Sequence, residues 1–108
     1  MLTKDEATAL VMEQLALVED KYWLNRPERT RPDGPECLFA ISHMDRVSFG
    51  WVAYWTLREA VEGRTTRPRL GGNGPFLVDR ENGTVHQVGT GRSPRHYVAE
   101  YERTRAAG

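Results

Sequence analysis

An α+β fold, a four-stranded antiparallel sheet packed by an N-terminal helix and a C-terminal helix, is predicted by three observations. Residues 4–19 repeat apolar side chains at helical spacing behind a capping signature. Four short apolar runs between residues 37 and 88 are separated by turn residues and not by long helices. Ser93-Pro94 then opens a second helical pattern. The order is α-β-β-β-β-α, and short connections between strands imply antiparallel pairing. At 108 residues, the whole of 1–108 is expected to be one domain around one modest core.

The elements follow in order. Thr3 with Glu6 three positions later fits a capping box, and Ala7, Leu10, Val11, Leu15 and Val18 form the apolar stripe of a helix over 4–19. Glu13 and Glu19 are assigned to its solvent face. Residues 25–36, NRPERTRPDGPE, hold three prolines and a glycine among charges, which reads as a long surface loop. Cys37–Met44 has strand length and bulk, Asp45-Arg46 is the expected reversal, and Val47–Leu57 is the returning strand. Alternation places Phe49, Trp51, Ala53 and Trp55 on one face and Val52, Tyr54 and Thr56 on the other, with Gly50 marking a bulge or a close neighbour. Residues 58–63 read as a short helical turn ending at Gly63, and 64–69 as a basic loop.

Phe76–Val78 and Val85–Val88 form a second hairpin, for which two registers are open. A two-residue Asn82-Gly83 loop sets Asp79 opposite His86. A four-residue loop over 80–83 pairs Val78 with Val85, and this register is preferred because it makes an apolar cross-strand pair and gives Asp79 the turn-opening position its side chain favours. The last helix takes Ser93 as N-cap and Pro94 at its first position, ends near Thr104, and buries Tyr97, Val98 and Tyr101. The first helix covers one sheet face, and the C-terminal helix is a candidate for the same face. On that arrangement the other face carries Val52 and Tyr54 outward as a docking surface.

Several of these residues recur together in an order that is itself informative. Phe49-Gly50-Trp51 is followed by GNGPFLVD over residues 72–79, by Asn82-Gly83-x-Val85, by Gly89-Thr90, and by Ser93-Pro94 ahead of Tyr97-x-x-x-Tyr101. Over roughly 38–102 the chain resembles the immunity protein 35, or YrhB-like, family of small bacterial proteins, many of them predicted to neutralise toxins of polymorphic toxin systems. The resemblance makes Gly50, Trp51, Asn73, Gly74, Pro75, Asp79, Gly83 and Tyr97 family-motif positions. It implies a cognate toxin as the partner.

Composition narrows the alternatives. Fifteen basic residues balance fifteen acidic ones, so the uniform positive field of a nucleic-acid binder is lacking. No window reaches the roughly twenty apolar residues of a membrane span, and the N-terminal residues lack a signal peptide's apolar segment, so a cytoplasmic protein is expected. The lone Cys37 cannot form an intramolecular disulfide, and beside three histidines it spells no zinc cluster. Charge is uneven along the chain: Asp5, Glu6, Glu13, Glu19 and Asp20 gather at the N-terminus, while Arg58, Arg64, Arg67 and Arg69 gather mid-chain.

Catalytic chemistry finds little support. Gly71-Gly72-Asn73-Gly74 is glycine-rich like a phosphate cradle, but a strand follows it where such cradles need a helix N-terminus, and no P-loop Lys-Ser or Lys-Thr completes it. Asn73 serves either to pin this turn or to contact a partner. Cys37 opens an apolar strand without a feature that would lower its pKa, and His43, His86 and His96 fall on three separate elements. The expectation is a non-enzymatic protein with no catalytic, cofactor or metal residues. It would bind a toxin domain with a few desolvated anchors and a charged rim, for which Tyr54, Arg64, Arg67, Arg69 and Asn73 are candidates beside the acidic face of the first helix. A chaperone-like protein that holds unfolded chains is the first alternative, and a small enzyme relying on Cys37 or His86 is the second.

Overall fold

The computed structural model describes residues 1–28, 31, 38–63 and 73–107. Its elements are α1 (Lys4–Leu24), β1 (Phe39–Val47), β2 (Gly50–Leu57), α2 (Arg58–Val61), β3 (Phe76–Asp79), β4 (Val85–Gln87) and α3 (Pro94–Ala107). The four strands pair antiparallel in chain order, β1-β2-β3-β4, as the α+β reading requires.

Thr3 and Glu6 close the predicted capping box: the Glu6 N–H donates to Thr3 Oγ1 at 3.1 Å and the Thr3 N–H to Glu6 Oε1 at 2.9 Å. No breaker follows until Asn25 and Pro27, so α1 runs past residue 19 to Leu24. The stripe Ala7, Val11 and Leu15 is completely buried against Phe39, Trp51, Ala53, Trp55, Phe76 and Val78, which form one face of the sheet. Burial of each large side chain here contributes about 1.5–3 kcal/mol. Glu19 corrects the sequence reading: it is buried, not solvent-facing. Its carboxylate accepts from the Leu38 N–H at 2.8 Å and from Trp23 Nε1 at 2.9 Å, with the Arg31 guanidinium at 3.4 Å, so protein donors replace the water it gives up.

The two helices lie on opposite faces of the sheet. The second face carries Phe49, Val52, Leu77 and Val88, and α3 packs Tyr97, Val98 and Tyr101 against them. The expectation of a shared face fails, and with it the open docking surface at Val52 and Tyr54. Val52 is buried and Tyr54 is half-buried, stacked on the His43 ring at 4.3 Å. Each sheet face is apolar along β2 and β3, so each needs its own helix, a demand that reading one helix at a time does not expose.

The first hairpin also differs from the sequence reading. Its reversal is Ser48-Phe49, closed by the Val47–Gly50 pair, and not Asp45-Arg46. A register shift between Ile41 and His43 turns Met44 to the α1 side. It leaves Asp45 and Arg46 exposed along an edge strand, where charge is tolerated. Arg46 lies over the Trp51 ring, 5.6 Å from its centroid. Phe49, lying in the turn, escapes the strand alternation and packs on Tyr101 of α3 at 4.5 Å, away from Trp51 and Trp55. Gly50 marks the close neighbour: a Cβ there would sit 2.0 Å from the Val78 carbonyl oxygen.

The second hairpin takes the preferred register, with Val78 opposite Val85 and Leu77 opposite His86. Ser93 caps α3, its Oγ accepting from the His96 N–H at 3.3 Å, and α3 continues to Ala107, one turn beyond the predicted end.

Candidate functional site

Asp79 is the chemical centre of the family-motif region. It ends β3, its side chain is fully buried, and the sharp β3–β4 turn brings the N–H groups of the next residues back onto it. Its Oδ1 accepts from the Glu81 N–H at 2.9 Å and lies 3.4 Å from the Asn82 N–H. Its Oδ2 accepts from the Tyr101 hydroxyl and from Arg105 Nε, each at 2.9 Å, and Arg105 also reaches Glu81 at 2.7 Å. Burial alone would push the Asp79 carboxyl up. The Glu81 N–H, the Tyr101 hydroxyl, the Asn82 N–H and the Arg105 charge together outweigh it and hold the group below the ordinary 3.8. Burial and the bond to this carboxylate push the Tyr101 phenol up. The carboxylate is therefore ionised and fully engaged with donors, an arrangement that clamps α3 to the β3–β4 turn. Ser48 in the β1–β2 turn adds a hydrogen bond to Glu102 of α3.

The second motif cluster joins β2 to the segment ahead of β3. Asn73 donates from Nδ2 to the Trp55 carbonyl at 2.6 Å, and Trp55 Nε1 returns a bond to the Gly74 carbonyl at 2.8 Å. The Asn73 amide thus ties this segment to the end of β2. Gln87 of β4 also donates to the Gly74 carbonyl, at 3.1 Å, and a Cβ on Gly74 would fall 1.8 Å from the Val88 carbonyl oxygen. Gly74 and Pro75 are buried beside Phe76. Gly83 adopts a positive φ of 74°, the conformation its turn demands, and nothing crowds it. Trp51 lies in the α1-side core, and the Tyr97 hydroxyl approaches Gly89 beneath α3.

The remaining predicted positions do not converge. Arg64, Arg67, Arg69, Cys37 and Gly71-Gly72 lie outside the described residues. Asp79 does not face His86, which is opposite Leu77. His43 stacks on Tyr54, His86 lies 6.5 Å from the Tyr101 ring, and His96 pairs with Glu100 at 3.2 Å. Among the described residues no group of three or more His, Cys, Asp or Glu side chains could hold a metal ion, and no helix is long and apolar enough to cross a membrane.

Two of the surface clefts among the described residues flank α3. One, near its C-terminal end, is polar and bounded by Ser48, Glu81, Glu102 and Arg105. The other, about 270 Å³, runs between β4 and α3 over Leu77, Val88 and Tyr101. Sequence reasoning missed both the Tyr101–Asp79–Arg105 clamp and the Glu19 anchor. The i, i+4 spacing of Tyr101 and Arg105 on one helix face was the available signal for the clamp; Glu19 offered none beyond lying four residues from Leu15 of the apolar stripe.

Comparison with known proteins reaches farther along the chain than the motifs do. The chain is 36% identical over 70 residues to a protein of Escherichia coli (strain K12) described as "Uncharacterized protein YrhB", covering 65% of this chain and 74% of that protein. No solved structure matches. The profile of the family described as "Immunity protein 35" matches residues 5–103, taking in nearly all of α1 as well as the motif region. The chain belongs to the immunity protein 35 family.

Proposed function

We propose that this chain is an immunity protein that neutralises a cognate bacterial toxin domain by binding it, without making or breaking bonds of its own. Membership of the immunity protein 35 family across residues 5–103 is the observation that carries the reading. The geometry is consistent with it. The motif side chains Asn73, Asp79 and Tyr101 spend their polar atoms on internal clamps, so the region joins strands, turn and helix into a stiff scaffold. A stiff scaffold loses little conformational entropy on docking, which favours tight, specific blocking of another protein. Surface remains for the partner beside it: the outer side of α1 exposes Leu17 and Leu24 among acidic residues, and the cleft between β4 and α3 is open.

The test is co-expression. The product of the gene beside this chain's own, taken as the candidate toxin, is induced in cells with and without the full chain, and growth is followed. Rescue together with a purified one-to-one complex is the expected result. Undiminished toxicity and no complex would remove the reading, and so would equal protection against unrelated toxins or suppression of aggregation of unrelated unfolded proteins.

A further inference from the structure

Among the described residues nothing pairs with the outer side of β4, and that side and the cleft beside it form one continuous feature. β4 ends the sheet, and the phase of its ladder is set by two flanking bonds, Asp79 N–H to the Thr84 carbonyl and Val88 N–H to the Pro75 carbonyl, each at 2.9 Å. Antiparallel alternation then turns the N–H and C=O of His86 toward β3 and those of Val85 and Gln87 outward, away from the sheet. The opposite edge, β1, is blunted by its register shift and by charged Asp45 and Arg46, devices that discourage strand addition. Val85-His86-Gln87 has no proline, formal charge or register shift.

On the α3 side this edge borders the cleft of about 270 Å³, whose floor is Leu77, Val88 and Tyr101 and whose rim includes Thr84, His86 and Glu100. That volume lies just below the range of small-molecule sites and suits a single large side chain. Glu100 is the one carboxylate lining it, and among the described residues no lysine or arginine does. Glu100 lies 3.2 Å from the His96 imidazole, and it makes the cleft an acidic spot over Leu77, Val88 and the Tyr101 ring. The Tyr101 ring is held in place by its hydroxyl bond to Asp79 and by Phe49 at 4.5 Å, and the near-parallel His86 ring stands 6.5 Å from it, a spacing that admits a planar cation.

Resting on the immunity reading, we infer that an extended segment of the toxin adds to β4 as a fifth strand and sets an arginine or lysine into this cleft, against Tyr101 and Glu100. Strand geometry makes the two halves agree. A residue opposite His86 points its side chain to the α3 side, where the cleft is, while its two neighbours exchange backbone bonds with Val85 and Gln87.

The experiment uses the full chain and the purified product of the gene beside its own, the candidate toxin. Binding is measured by calorimetry for the wild type, Glu100→Arg, Gln87→Pro and, on the opposite edge of the sheet, Asp45→Arg. Amide exchange of Val85 and Gln87 is followed with and without toxin. The expected result is a loss of at least about tenfold in affinity for Glu100→Arg and for Gln87→Pro, none for Asp45→Arg, and slowed exchange at both amides in the complex. The exchange measurement needs no variant, so a misfolded Gln87→Pro does not rescue or sink the result. Wild-type binding with unchanged exchange and an unaffected Glu100→Arg overturns the docking site while leaving the immunity reading intact. A wild type that neither binds nor rescues overturns both. Edge pairing between two copies, seen as a dimer that Gln87→Pro dissociates, assigns the edge to a second copy and overturns the toxin as its occupant.

Discussion

Asp79→Ala is the sharpest test of the clamp between α3 and the β3–β4 turn. The native carboxylate accepts three well-formed bonds at 2.9 Å, from Glu81 N–H, the Tyr101 hydroxyl and Arg105, while the 3.4 Å approach of Asn82 is too long to weigh heavily. Hydrogen bonds to a charged group contribute about 1.5–3 kcal/mol each, but they are not additive. Arg105 is one-third exposed and keeps Glu81, and the turn N–H can rehydrate, so part of the loss is recovered. The Tyr101 hydroxyl, held beneath α3, recovers less. The expected cost is therefore about 3–5 kcal/mol, the range for breaking a buried charge pair by removing one partner. That is a large part of the 5–15 kcal/mol typical of a domain, and it lowers the melting temperature by at least roughly 12 °C. Urea unfolding of wild type, Asp79→Ala, Tyr101→Phe and the double variant measures it, with the double-mutant cycle isolating the Asp79–Tyr101 coupling. A loss below about 1 kcal/mol for Asp79→Ala, or full additivity in the cycle, would refute the clamp. The pH dependence has a definite sign. Because the folded carboxyl is held below the ordinary 3.8, its contribution is present above that value and disappears as pH falls through the lower folded value. The stability gap between wild type and Asp79→Asn should stay level from neutrality to about pH 4 and close below it.

Glu19→Ala should destabilise by about 2–4 kcal/mol in urea unfolding, since it leaves the Leu38 N–H and the Trp23 indole without their acceptor; a solvent-facing glutamate would cost almost nothing. Gly74→Ala and Gly83→Ala separate crowding from conformation. The first drives a Cβ to 1.8 Å from the Val88 carbonyl and should cost about 3 kcal/mol or prevent folding, whereas the second meets no atom and should cost about 1–2 kcal/mol for its positive φ, both read from thermal melts. Asn73→Ala should lose about 1–2 kcal/mol of stability yet leave toxin affinity within about twofold, because its amide is spent on Trp55; a loss of tenfold or more would make it a partner contact.

Much of the architecture was legible along the chain because the signals are local. The Thr3–Glu6 box, the stripe Ala7-Val11-Leu15, the Asp79 to Gly83 turn and the Ser93-Pro94 start each involve residues a few positions apart. The Val78–Val85 register followed from pairing apolar with apolar across a turn of defined length. The misreadings share a cause. Glu19, Phe49 and Val52 were assigned from periodicity within one element, but their fates depend on what arrives from elsewhere: Leu38 for Glu19 and α3 for Phe49 and Val52. The reversal falls at Ser48-Phe49, and the shift at Ile41/His43 changes inside and outside partway along β1, leaving Asp45 and Arg46 exposed within the strand.

By itself the amino-acid order determined the elements, their antiparallel sequence and the motif positions, since capping, turn formation and alternation act between near neighbours. Only the tertiary structure decided that the helices take opposite faces of the sheet, that Asp79, Tyr101 and Arg105 meet, and that the β4 edge borders an acidic cleft. Those outcomes depend on contacts such as Tyr101 to Asp79, 22 positions apart in the chain, whose energies exist only once both apolar faces of the sheet are covered and water is gone from between them.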